Sequence, residues 1–437
     1  MNNFKKYPSY KDSEIEWLGE IPNHWDLVKG KWEWRKENRS VRKDDGIVTA
    51  FRDGQVTLRS NRREDGFTMA NLEHGYQGIR KGDLVIHGMD AFAGAIGVSD
   101  SDGKSTPVYS ACTPKKGSSP FFFSYLLKEM SRTGWIESLA KGIRERSTEF
   151  KYPQFSILEY PIPPLPEQTA IANYLDKKTA EIKEFIALKE RTIELLKERK
   201  MAIINQAVTK GLDPTVEMKD SGIEWLGEIP KHWEKVRIGH YVNVFRGASP
   251  RPAGDPALFG GDFMPWITVS EVTKKGEKYL LETETFLTRM GAKQSRTVLP
   301  EMLLLSNSGA SLGVPKITLI KGCFNDGSVA FDKYNNKLQR DFLYHFFNSH
   351  TEIYRREMAG YGQPNLNTDI IKSTKIPLAP LEEQRSICNY IDSKTEEFNE
   401  IIKQTKKEIQ LIKEYQQSLI SEVVTGKVDV STSATQL

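Results

Sequence analysis

Two stretches of the chain place apolar residues at alternating four- and three-residue steps. The first series is Ile171, Leu175, Lys178, Ile182, Ile186, Lys189, Ile193, Leu196, Lys200, Ile203 and Ala207. The second is Ile387, Ile391, Lys394, Phe398, Ile402, Thr405, Ile409, Ile412, Gln416, Leu419 and Val423. This spacing, held over several heptads, predicts two long helices, each with a coiled-coil seam. The Pro-rich lead-ins "PIPPLPEQ" and "IPLAPLEEQ" stop where the helices begin, a position that tolerates Pro, and Gly211 and Gly426 follow their ends. About 40 residues at 1.5 Å each give a rod of roughly 60 Å. Polar residues interrupt both seams at matching places: Lys178 with Lys394, Lys189 with Thr405, Lys200 with Gln416. Each seam needs a partner. Pairing of the two helices with each other, antiparallel about a pseudo-two-fold axis, satisfies both; packing of each on its own domain is the other arrangement.

Outside the helices the periods are shorter and mixed. "GDLVIHGM", "AGAIGVSD", "MLLLSNSG" and "PKITLIKG" read as short strands with Gly turns, and "FFFSYLLKEM" and "RDFLYHFFNSHTEIYRREM" as amphipathic helices. Their aromatics fit a core better than base-stacking platforms.

The chain is internally repeated. "IEWLGEIPNHW" from Ile15 returns as "IEWLGEIPKHW" from Ile223, and the helix-leading segment from Tyr160 returns from Ile376, with Gln168, Asn173, Tyr174 and Asp176 matching Gln384, Asn389, Tyr390 and Asp392. The segments between the repeats are unlike. This divides the chain into a junction motif at 1–25, a globular domain at 26–160, a central helix at 161–211 and a second junction at 212–233. A second globular domain at 234–375, a C-terminal helix at 376–429 and a tail at 430–437 follow. The short motif is then the joint between a rod end and a globular domain, used twice. If the termini meet, the pattern closes into a circle. Trp17, Trp25, Trp225 and Trp233 are expected to be buried at these joints, with Pro22 and Pro230 stiffening the bend. The fold class is α+β: two mixed α/β domains joined by two long antiparallel coiled-coil helices.

At 437 residues, with 38% hydrophobic and 27% charged residues, the chain suits a multidomain globular protein. No apolar run reaches a membrane span, and the N-terminus lacks a signal-peptide core. Cys112, Cys323 and Cys388 are scattered, which fits a reducing cytoplasm. The formal charge is only +4, but both globular segments carry a basic excess, the direction a nucleic-acid face requires. The clusters are Arg35, Lys36, Arg39, Arg42 and Lys43; Arg59, Arg62 and Arg63; Arg144 and Arg146; Arg246 and Arg251; Lys293 and Arg296; and the polar run Gln363, Asn365 and Asn367. Arg forks read guanine edges, and Asn or Gln read adenine. Each residue taken singly also fits a solvated surface.

Catalytic signatures are missing. "GVSDSDGKST" fails as a phosphate loop, because Val98 stands where the first Gly is required and Gly97 is one place early. Neither a metal-binding His/Cys spacing nor an Asn-Pro-Pro-aromatic methylation motif is present.

Two unlike basic domains, two matched Pro-led helices and circular repetition together resemble the specificity subunit of type I restriction-modification enzymes. "PLPEQTAIANYLD", "PLEEQRSICNYID" and the doubled "IEWLGEIPxHW" carry the likeness, which covers essentially all of the chain. The resemblance implies a cytoplasmic, non-catalytic subunit whose two target-recognition domains each read half of a split, asymmetric site in double-stranded DNA, with the helices as spacer. It implies two methyltransferase subunits docked on the helices and two restriction/translocase subunits joined through the complex, with no membrane partner. S-adenosylmethionine, ATP and Mg would belong to those partners, this chain binding no cofactor. The rival reading is a coiled-coil scaffold that binds proteins and no DNA.

Overall fold

The computed structural model describes residues 5–63, 74–139, 150–274, 278–309, 312–358 and 366–431. The candidate residues Arg144, Arg146, Gln363 and Asn365 lie outside them. The chain divides into two units, Met1–Lys189 with Lys407–Leu437, and Glu190–Lys406.

The two long helices are present as Leu165–Lys210 and Leu381–Val424. Each unit holds part of both. In the first, Ile171 and Leu175 share a core with Leu419, Val423 and Val424, while Lys189 Nζ meets Glu408 Oε2 at 2.8 Å. Rising numbers on one helix meet falling numbers on the other, so the segments run antiparallel. The second unit repeats this. Lys200 Nζ donates to Asn399 Oδ1 at 2.9 Å, and Ile204, Ala207 and Val208 pack with Ile387 and Ile391. The expected seam is followed closely: Ile182, Ile193, Ile402 and Ile409 are buried, and Ile186, Leu196, Phe398 and Ile412 half-buried. It slips at one place. Ile203, expected in the seam, is only half-buried, and Ile204 takes its position with 2% exposure. A straight helix has 3.6 residues per turn, so a strict seven-residue repeat drifts by about 20° per heptad and the buried stripe moves to the next residue.

Both globular segments are stapled at their ends by an antiparallel strand pair. Asp26–Lys29 pairs with Glu159–Ile162, and Glu234–Arg237 with Lys375–Leu378. Between the staples the first unit builds a four-stranded antiparallel sheet in the order Trp34–Lys36, Tyr109–Pro114, Leu84–His87, Ile96–Val98. The second builds a five-stranded sheet in the order Asn243–Arg246, Ser328–Asp332, Leu303–Ser306, Pro315–Thr318, Tyr279–Leu280. Period-two alternation sends Leu303 and Leu305 into one core and Leu304 into another. Leu84 and Ile86 separate from Val85 in the same way. These strands are buried on both faces, which is why they read as continuous apolar runs.

The helix Pro120–Arg132 has Ser119 as its N-cap, accepting from Phe122 N, and Pro120 in its first turn. It buries Phe122, Phe123, Leu126, Leu127 and Met130 and leaves Phe121 exposed. Arg340–Met358 is helical as expected and buries Phe342, Phe346 and Phe347. The stretch resembling a phosphate loop forms two short strands, Ile96–Val98 and Gly103–Ser105, joined by a turn. No described helix is long and apolar enough to cross a membrane.

Candidate nucleic-acid interface

The frame that presents the basic residues is built twice from the same side chains. In the first unit Glu167 accepts from Trp25 Nε1 at 2.9 Å, and its other oxygen lies 2.8 Å from His24 Nε2. In the second, Glu383 Oε2 accepts from Trp233 Nε1 at 3.0 Å and lies 2.9 Å from His232 Nε2. The next residue ties the long helix to the globular domain. Gln168 donates to Pro163 O at 2.9 Å and accepts from Ser119 N at 2.8 Å, at the head of the 120–132 helix. Gln384 donates to Ala379 O at 2.8 Å and accepts from Gln339 N at 2.9 Å, at the head of the 340–358 helix. Both glutamines are buried, so each spends its amide on backbone groups that would otherwise go unpaired.

The doubled motif is therefore a joint. Tyr10–Asp12 pairs with Glu20–Pro22, and Met218–Asp220 with Glu228–Pro230. Trp25 and Trp233 are fully buried. Trp17 and Trp225, expected to be buried, are only half so; they lie on the rim of their cores, where Trp225 packs edge-on against His350 at 4.9 Å. In the first unit the two chain ends meet: Asp429 N donates to Lys5 O at 2.8 Å, and Val428 and Val430 pack with Tyr7, Leu18 and Ile21.

The candidate residues fall into different environments. In the first unit, Arg35 and Lys36 are exposed on Trp34–Lys36, with Arg35 Nε donating to Glu37 at 2.9 Å. The Thr113 hydroxyl, then Arg35 and Arg39, hold the Glu37 carboxyl below its ordinary value against the opposing effect of burial. Arg39 grips the buried Asp83 through both terminal nitrogens, Nη2 to Oδ1 at 3.1 Å. Its fork is spent on the fold, a structural role in place of the expected surface one. Arg42 meets Asp102 at 3.0 Å at the surface, and Lys43 is exposed. Arg59 Nε donates to Thr49 Oγ1 at 3.0 Å. Arg62 meets Asp53 at 2.8 Å and lies over the Phe51 ring at 4.1 Å, and Arg63 beside it is exposed. Burial raises the Asp53 carboxyl, but hydrogen bonds from Arg62 and the Gln55 amide outweigh it and hold the group low.

In the second unit the structure brings together residues far apart in sequence. Arg246 Nε donates to Asp326 O at 2.6 Å, and Arg296 Nη1 donates to Arg246 O at 2.9 Å. Arg251 Nη2 approaches Asp326 Oδ2 at 3.8 Å. Lys293 is exposed on the helix Arg289–Gln294, next to the Gln294 that accepts from Arg251 N. Asn367 does not join them. Its Oδ1 accepts from Asp369 N and Ile370 N and caps the helix Thr368–Ser373. Sequence reasoning missed Asp326, whose "NDGS" context signals only a turn. It also missed Arg289, which lies over the Phe263 ring at 4.9 Å.

Residues 230–411 match the family of the type I restriction modification DNA specificity domain. Across nearly all of its length the chain is 24% identical to a putative type I restriction enzyme MjaX specificity subunit of Methanocaldococcus jannaschii, covering 98% of this chain and 99% of that one. The chain is thus similar to type I restriction specificity subunits along nearly all of its length. The MjaVIII specificity subunit of the same organism is 26% identical over 71% of this chain and 70% of its own. The fold agrees with that of a solved chain from work on complex assembly and conformational transition of a type I R-M system, with a TM-score of 0.70 at 16% identity, covering 92% of this chain and 98% of that one. The Trp–Glu joint and the buried Gln account for two of the most recognisable words of the sequence. Both are elements of the frame that carries the basic loops. Among the described residues no three His, Cys, Asp or Glu side chains gather to hold a metal ion.

Proposed function

We propose that this chain is the specificity subunit of a type I restriction-modification system and recognises a split, asymmetric site in double-stranded DNA, with residues 26–160 reading one half and residues 234–375 the other. One observation carries the reading: the same joint, Trp25–Glu167 and Trp233–Glu383, holds two globular segments whose sheets and exposed arginines differ. Two identical readers suit a palindrome; two different readers on one chain suit an asymmetric site whose orientation the covalent frame fixes. The long helices act as the spacer and as the surface on which two methyltransferase subunits dock, with restriction subunits joining through the complex. The chemistry of S-adenosylmethionine and ATP belongs to those partners, and this chain supplies recognition and assembly in the cytoplasm.

The test is exchange of residues 26–160 for those of a relative, followed by sequencing of methylated sites in a host carrying the assembled system. One half of the methylated motif should change and the other stay. A change in both halves, or in neither, would overturn the two-reader proposal.

A further inference from the structure

A loop in the second unit with an exposed arginine at each end is braced in a way that surface loops seldom are. It runs from Arg246 to Arg251, "RGASPR". Gly247 N donates to Ser328 O at 3.0 Å, and Ala248 N to Phe324 O at 3.1 Å. Arg251 N donates to Gln294 Oε1 at 2.9 Å, and Ala248 O accepts from Ser295 Oγ at 2.6 Å. Ser249 Oγ donates to Asp326 Oδ1 at 2.6 Å. Gly247 has no room for a side chain, since a Cβ would stand 2.1 Å from Asn325 O. Two separate segments, at 294–296 and 324–328, thus hold the loop. Loops are ordinarily the mobile part of a domain. One tied down this thoroughly has lost its conformational entropy in advance and loses little more when a ligand binds.

The arginines of this loop are not equivalent. Arg246 has its Nε committed to Asp326 O, and Arg296 its Nη1 to Arg246 O. Among the described residues the Arg251 side chain approaches no acceptor more closely than Asp326 Oδ2 at 3.8 Å, and it is 71% exposed. Its fork lies beside the carboxylate at ion-pair range and has donors to give. The carboxylate is the informative group. A patch built only to hold phosphate gains nothing from an acid at its centre, because the acid repels the same anion. An acid that orients an arginine is what a directional contact needs. The free fork of an arginine matches O6 and N7 of guanine.

We propose that Arg251 reads a guanine in the half-site recognised by the second unit, and that Asp326 is the positioning residue that aims it. This rests on the reading of the chain as a DNA-recognition subunit.

The experiment selects preferred duplexes from a randomised pool with the full chain in complex with its methyltransferase subunits, and measures affinity against salt. Arg251→Ala should lower the preference for guanine at one position by about 10-fold or more, with the other positions unchanged. Asp326→Asn keeps an acceptor for Ser249 but removes the charge. It should weaken preference at the same position while overall affinity holds or rises, an outcome that general structural damage would not produce. Thermal unfolding of each variant accompanies the selection. If Arg251→Ala lowers affinity evenly across sequences, and the log–log salt slope falls by about 0.9, Arg251 is a phosphate contact and the proposal fails. If Asp326→Asn leaves the preference at that position intact, the positioning role fails. If the unaltered complex selects no sequence, the recognition reading itself fails, and the two failures are distinct.

Discussion

Glu167 accepts a hydrogen bond from the Trp25 indole at 2.9 Å across 142 positions of sequence. The acceptor begins the first long helix and the donor ends the junction motif, so this bond fixes the angle at which rod and joint meet. Glu383 and Trp233 repeat the arrangement in the second unit at 3.0 Å.

Removing the acceptor leaves a fully buried indole N–H unpaired. Glu167→Ala and Glu383→Ala should each cost about 1–3 kcal/mol. Urea unfolding of the full chain followed by tryptophan fluorescence measures this. A cost near zero at both sites would show that the joint does not depend on these bonds.

The two C-terminal glycines of the helices offer a graded comparison. Gly426 and Gly211 both have left-handed backbones, at φ +75 and +77. A Cβ on Gly426 would stand 2.3 Å from Pro22 Cδ, whereas on Gly211 its nearest neighbour is Glu383 Oε1 at 3.0 Å, the end of a side chain. Both alanine variants incur the left-handed strain of about 1–2 kcal/mol, and Gly426→Ala adds a clash with a rigid ring. Gly426→Ala should therefore be the more destabilising in thermal unfolding, and the reverse order would contradict the closure of the chain ends seen here.

His350 gives the fold a pH dependence. Burial pushes its ring down to about 4, partly offset by the hydrogen bond to Phe346 O at 2.8 Å. The fold keeps the neutral ring. Its stabilisation is complete above the ordinary value of 6.5 and is lost as pH falls towards 4. At most about 3 kcal/mol is at stake. His350→Gln cannot titrate, so its urea midpoint should fall less between pH 7 and pH 4.5 than that of the unaltered chain. Parallel falls would assign the acid sensitivity elsewhere.

Arg35 and Arg39 should separate cleanly. Arg39→Ala strands the carboxylate of Asp83, which is 3% exposed, and should cost about 3 kcal/mol of stability. Arg35→Ala, at an exposed site, should leave unfolding unchanged and lower duplex affinity at low salt. Equal effects on stability would remove the distinction between brace and surface cation.

Much of this architecture could be read from pattern alone. The seam positions from Ile171 to Ile193 and from Ile387 to Leu419 follow from a four-three spacing, and the 340–358 helix has the bounds its apolar period suggests. The central strands were legible as apolar runs because they are buried on both faces. The slip from Ile203 to Ile204 was not, since a seven-residue template does not carry the drift of a straight helix.

The basic residues were legible as a class and illegible one by one. Arg35 and Arg39 lie four residues apart in the same cationic run, yet one faces solvent and the other closes on Asp83. Asn367 reads as a polar recognition residue and serves as a helix cap. Asp326, which organises the loop from Arg246 to Arg251, carries no local signal beyond a turn.

The sequence by itself determined the repeated frame, the long helices and the unlike basic segments between them, because periodicity and repetition are properties of neighbouring residues and need no fold to be seen. Only the tertiary structure decided which Glu meets which Trp, which Arg is spent on a buried carboxylate and which keeps its fork exposed. Those outcomes depend on hydrogen bonds between groups brought together from distant parts of the chain, and identical side chains acquire opposite roles according to what folding places within about 3 Å of them.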